Sequence, residues 1–110
     1  MRLHAAGFDW DAGNSGKCRK HGVSLAEIEA MFSGDDVRVA PDPAHSQSED
    51  RLIAVGRTLQ GRALFVAFTF RRVAGRLVIR PVSARYMHRR EIARYEEKTR
   101  SDEDPEAANG

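Results

Sequence analysis

Much of what builds a recognisable active site is missing from this 110-residue chain. It has one cysteine, Cys18, which excludes an internal disulfide and suits a reducing compartment such as the cytoplasm. No apolar run approaches the roughly 20 residues of a membrane-spanning helix, so no membrane role is expected. Residues 1–6 are too short to read as a signal peptide. Four histidines, His4, His21, His45 and His88, lack the spacing of metal ligands. There is no glycine-rich phosphate loop and no serine nucleophile elbow, so neither metal nor cofactor is expected. No internal repeat is visible.

What is present is an uneven charge. The net charge is only +2, but residues 1–50 hold five Lys/Arg against nine Asp/Glu, a balance of −4. Residues 51–98 hold twelve against three, a balance of +9, and residues 99–110 one against four, a balance of −3. A strongly basic middle favours a polyanionic or acidic partner. With 41% apolar residues the chain is globular in composition, and its length fits one small domain.

The basic stretch coincides with the strand signals. Residues 51–57, 63–70 and 77–85 are rich in β-branched and aromatic side chains and are punctuated by Gln60, Gly61, Ala74 and Gly75, the pattern of an antiparallel meander. Leu64, Val66, Phe68 and Phe70 share one face by alternation, and helices must cover it. Ahead of the meander, Phe8 and Trp10 alternate with Asp9 and Asp11 in a short strand, an extra member of the sheet. Asp11 then caps a helix running to about His21, with Gly22 as terminator. Gly13 and Gly16 weaken that helix by about 1 kcal/mol each. Ser24 and Glu27 form a capping box, with Val23 and Ile28 as hydrophobic staple, and Leu25, Ile28 and Phe32 make its apolar stripe. Residues 37–40 read as a possible strand and 41–50 as a polar loop. A last helix is expected over 87–98, with His88, Ile92 and Tyr95 on one stripe. Thus the domain spans 1–98 and a disordered acidic tail 99–110. The class is α+β, with N-terminal helices and a C-terminal helix on an antiparallel sheet.

Several side chains are candidates for chemistry, each with an ordinary alternative. Lys20 and His21, at a helix end, suit a proton shuttle near a phosphate, or simply complement the helix dipole. Arg57 and Arg85 close strands and suit a phosphodiester clamp at one rim; the alternative is charged edge protection. Asp9/Asp11 and Asp35/Asp36 are pairs without the further ligands a metal needs. Glu29 points away from the apolar stripe and is expected in solvent. Glu91 is expected to pair with Arg94 along the last helix. Cys18, beside Arg19 and Lys20, reads as a small core residue rather than an activated thiol.

Taken in order, Phe8, Asp9, Trp10, Asp11, Asn14, Lys17, Cys18, Lys20, His21, Gly22, Val23, Ser24 and Phe32 resemble the opening of BrnT-type ribonuclease toxins. His45, Ser46, Glu49, Asp50, Arg51, Ile53, Gly56, Arg57, Ser83, Ala84, Arg85, Glu91 and Tyr95 resemble the rest, so the likeness covers about residues 8–97. The resemblance implies a RelE-like α+β fold and the toxin of a type II toxin–antitoxin pair, cutting RNA to halt translation. It implies cleavage without a metal, by attack of the RNA 2′-hydroxyl on its own phosphate. A BrnA-like antitoxin is the implied partner, with promoter DNA bound only through the complex. In that scheme Lys20, His21, Arg57 and Arg85 are catalytic, Arg51, Arg80 and Arg89 bind substrate, and Glu49 and Glu91 are reserve proton carriers. The competing reading is a non-catalytic RNA-binding or protein-interaction module using the same basic surface.

Overall fold

The structure is a computed structural model that describes residues 5–43 and 50–103, the last six of these by backbone alone. Three helices accompany a four-stranded antiparallel sheet in the order β1-β2-β3-β4. Helices α1 (Ala12–Arg19) and α2 (Leu25–Phe32) precede β1 (Arg38–Pro41), β2 (Leu52–Arg57), β3 (Ala63–Val73) and β4 (Arg76–Tyr86), and α3 (Arg89–Glu103) closes the fold. Among the described residues no helix is long and apolar enough to cross a membrane.

Both N-terminal helices start where their caps dictate. The Asp11 side chain accepts from the Asn14 backbone at 3.0 Å, and the Asn14 side chain accepts from the Asp11 backbone at 2.7 Å. At α2 the same reciprocal arrangement links Ser24 and Glu27. Helix α1 ends at Arg19, two residues short of the expected His21, because Lys20 closes it and Gly22 turns the chain at φ +86. Between β3 and β4, Ala74 and Gly75 both take positive φ, 52 and 78, the two-residue hairpin whose twist matches its strands.

Alternation along the strands separates two faces. Ala54, Leu64, Val66, Phe68 and Ala84 are buried with Cys18, Val23, Ile28, Met31 and Phe32 on the side that α1 and α2 cover. Gly56 belongs to this face because a Cβ there would lie 2.7 Å from Met31 Cγ. Cys18 is fully buried, as expected of a core residue, and burial pushes its thiol up to about 11. Phe70 departs from its expected place: it remains 37% exposed near the far end of β3, stacked edge-on to Phe68.

Three further expectations are corrected. The strand around Phe8 is a single parallel bridge to Ile79, flanked by hydrogen bonds from Ala6 N to Leu77 O, Ile79 N to Gly7 O and Asp9 N to Ile79 O. It stays short because Asp11 must already leave the sheet to cap α1. The Trp10 indole donates to Glu29 at 2.9 Å, so Glu29 is not simply solvated. Helix α3 crosses residue 98 and reaches Glu103. Residues 89–103 contain no Gly or Pro and many Glu and Arg, a composition that suits a helix, and residues 104–110 of the expected tail lie outside the described residues.

Asn14 ties α1 to the sheet edge: its amide donates to Asp9 O at 2.9 Å and to Pro81 O at 2.8 Å. Asn14→Ala strips these donors from a 5% exposed site. It should lower stability by about 1–3 kcal/mol, read as a reduced denaturant midpoint at unchanged m.

Candidate functional site

The sheet face turned away from α1 and α2 carries the cations. Register aligns Val55, Phe65 and Arg85 across β2, β3 and β4, and side chains in one such row share a face. Arg57, two residues beyond Val55, lies on the same face. Two inter-strand steps and two residues put the Arg57 and Arg85 backbones about 12 Å apart. That is within reach of two long side chains converging over one group. The Arg85 guanidinium lies 4.3 Å from the centre of the Phe65 ring, which forms the floor.

Helix α3 supplies both arginines with carboxylates. Arg85 donates to the two Glu91 oxygens at 2.7 and 2.8 Å, a bidentate fork. Glu91 also accepts from the His88 backbone at 2.9 Å at the start of α3. Arg85, followed by this cap, holds the Glu91 carboxyl down at about 2. The expected Glu91–Arg94 pair therefore gives way to one across elements, since the fork and the cap both claim the carboxylate. At the other end Arg57 donates to Glu96 at 2.7 Å and to Gly61 O at 2.8 Å. The Tyr95 hydroxyl adds a bond of 3.2 Å to Asp36 O.

The remaining candidates are scattered. Lys20 and His21 are exposed in the turn after α1. That turn lies at the Arg85 end of the sheet, with Gly22 O 3.4 Å from the Tyr86 hydroxyl, which donates to Glu27. Arg85 and Tyr86 are successive strand residues and so point to opposite faces. Arg51 and Arg80 lie at the far end, lining with Lys17, Asp50, Thr69 and Phe70 a cleft of about 570 Å³. Thr69 is four residues along β3 from Phe65, about 14 Å. Arg80 there binds Asp9 at 3.0 Å and Asp11 at 2.9 Å, and Arg71 binds Asp9 at 2.8 Å. These contacts lower both carboxyls, Asp9 chiefly through Arg71 and Asp11 chiefly through the Asn14 backbone bond and then Arg80. Arg80 thus tethers the N-terminal segment to β4. Arg89, the first residue of α3, is exposed. Glu49 and His45 lie outside the described residues. Among the described residues no three His, Cys, Asp or Glu side chains gather as metal ligands.

Ordered this way, the residues meet a comparison that decides the family. A family model described as the ribonuclease toxin BrnT of type II toxin–antitoxin systems matches residues 10–91. The chain belongs to the BrnT family. A search of curated proteins found no match. BrnT members are ribonuclease toxins of paired systems, so RNA is the target class and an antitoxin the partner class. The matched span contains Lys20, His21, Arg57, Arg85 and Glu91, and it stops within the first turn of α3.

Sequence reasoning missed Glu27, Arg62 and Tyr86 as a group. Both Glu27 oxygens accept from the Tyr86 hydroxyl, at 2.8 and 3.0 Å, while the Arg62 guanidinium lies 3.4 Å from the Tyr86 ring centre. The Glu27 bond raises the Tyr86 hydroxyl, keeping it protonated. Only the Ser24–Glu27 spacing signalled Glu27, and it signalled a cap.

The depressed Glu91 carboxyl gives a pH test of how α3 is seated. A carboxyl lowered on folding stabilises fully above its ordinary value of 4.5 and loses that contribution as pH falls through about 2. The Phe65 and Arg85 side-chain NMR signals should therefore hold their positions at pH 4 and shift only as pH approaches 2. Glu91→Gln should abolish that acid transition while costing at most about 1 kcal/mol, since the pair is a third exposed.

Proposed function

We propose that the Arg57–Arg85 face is where this BrnT protein cleaves RNA, by attack of a ribose 2′-hydroxyl on the adjacent phosphate without a metal. The observation that carries the reading is the placement of both guanidiniums on one sheet face within reach of a common phosphate. Attack forms the O2′–P bond and breaks the P–O5′ bond, leaving a 2′,3′-cyclic phosphate and a 5′-hydroxyl. Charge builds on the non-bridging oxygens, where guanidinium donors stabilise it.

The two arginines divide this work. The Arg57–Glu96 pair is exposed and worth little in water, so a phosphate exchanges with Glu96 at small cost. Arg85 stays oriented by its bidentate partner and presents its remaining N–H groups. Glu91, held at about 2, is a poor base, so proton transfer is assigned to His21. With Lys20, His21 stands on the other face at the same end of the sheet and has to come round that end to the phosphate. Arg51 and Arg80 border the path of the flanking chain, Arg51 toward the cleft and Arg80 mainly as a scaffold. Arg89 faces solvent at the entrance to α3. DNA lacks the attacking hydroxyl and is bound but not cut by this route.

The wider reading follows the family: a RelE-like toxin domain acting in the cytoplasm and stopping translation by destroying RNA. It is neutralised by a BrnA-like antitoxin, and the pair together binds promoter DNA. Binding without cleavage is the second reading, favoured by the occupation of both guanidiniums by α3.

Arg57→Ala should reduce kcat/KM on a short single-stranded RNA by roughly a hundredfold at unchanged fold. Arg85→Lys should lose a comparable amount, because an ammonium keeps the charge without the fork. Cleavage should persist in excess chelator and yield a cyclic phosphate. Full activity in both variants would remove this face from the reaction, and binding without any product would favour the second reading.

A further inference from the structure

Beside the proposed cleavage face stands a cluster to which that chemistry gives no task. Arg62 follows the tight turn at Gly61, φ +84, and its backbone N–H is pinned to the Thr58 hydroxyl at 3.1 Å. Its guanidinium lies 3.4 Å above the Tyr86 ring. Tyr86 packs its body against the core cluster and its hydroxyl is gripped by both Glu27 oxygens. Glu27 is in turn fixed by the Ser24 backbone at 3.0 Å. The ring therefore has little freedom, and the guanidinium lies on it at contact distance while Arg62 remains exposed to solvent.

From this geometry we infer that Arg62, backed by Tyr86, is a stacking platform for an unpaired nucleobase of an RNA strand that rounds the end of the sheet from the cut phosphate. The inference rests on the RNA-cleavage reading and adds a specificity element to it. Unpaired bases stack on guanidinium planes as well as on aromatic rings. An arginine already in contact with a ring has lost part of its rotamer freedom before the base arrives. Tyr86 points away from Arg85, so the platform lies on the other face at the same end of the sheet. Arg57 comes close to it there, donating at 2.8 Å to Gly61 O, the residue before Arg62. A strand that leaves the Arg57–Arg85 face past Arg57 and turns round this end of the sheet meets the platform with one of its bases. Tyr86 acts as a positioning residue here. Its hydroxyl already donates to Glu27, so it is not the proton source.

The test uses the full chain and a short single-stranded RNA that it cuts at one bond. The set includes versions carrying one abasic nucleotide at each flanking position, and a 2′-O-methyl analogue at the cut for measuring Kd. For the wild type, one abasic position should raise KM and Kd roughly tenfold with little change in kcat. Arg62→Ala should raise Kd for the intact RNA by a similar factor and become indifferent to that abasic position. Tyr86→Leu should behave like Arg62→Ala, whereas Tyr86→Phe, which keeps the ring, should stay near the wild type. Thermal melting establishes that each variant is folded. If folded Arg62→Ala still senses the same abasic position, or binds intact RNA as tightly as the wild type, the platform is refuted. A wild type that binds these RNAs without cutting them would sink the cleavage reading, while the Kd comparison still decides the platform.

Discussion

The two-residue period of β3 and β4 is the constraint on which everything else hangs. It sends Leu64, Val66, Phe68 and Ala84 into the core and leaves Phe65 and Arg85 on the opposite side. A one-residue slip would bury Arg85 among the helices and expose Phe68, so register and chemistry are inseparable. At Arg85 and Tyr86 the same period places two adjacent side chains in different jobs. One faces α3 with its carboxylate, the other faces the N-terminus of α2.

Features set by neighbours in sequence were readable, and features set by distant partners were not. The Ser24 box, the Asp11 cap, the meander and the buried Cys18 all follow from spacing within a few residues or from one apolar period. The site was half legible. Arginines at strand ends pointed to a cationic sheet, and Arg57 and Arg85 do share a face. Their acidic partners could not be read, because Glu96 lies 39 residues from Arg57 and the Glu91 carboxylate had a closer suitor in Arg94. Tyr86 and Glu27, 59 residues apart, meet only once the hairpin and α2 are packed.

The +9 balance of the middle of the chain also changes meaning once folded. Arg71 and Arg80 face Asp9 and Asp11 from the acidic N-terminal part, and Arg57 and Arg85 face α3. Part of the positive charge thus holds elements together rather than waiting for a partner. Net charge along a segment reports the available guanidiniums, and the fold decides which of them are structural. Arg80, with two carboxylates and a buried neighbour in Pro81, is on the structural side. Arg57, with one half-exposed carboxylate, is on the other.

That difference accounts for how one face is both neutralised and competent in the proposed reaction. An arginine without any counter-charge beside an apolar floor would take many orientations and would first have to be ordered by its substrate. A carboxylate that holds it loosely fixes its place and yields to a phosphate carrying more charge and more acceptors. Exposed pairs of this kind contribute about 0–1 kcal/mol, so exchange is nearly free of cost, whereas a buried pair would resist it. Among the described residues, helix α3 is tied to the body by Glu91, Tyr95 and Glu96, and none of its side chains belongs to the buried core cluster. In the proposed reaction Glu96 is therefore the placeholder for phosphate, while Glu91 remains to orient Arg85.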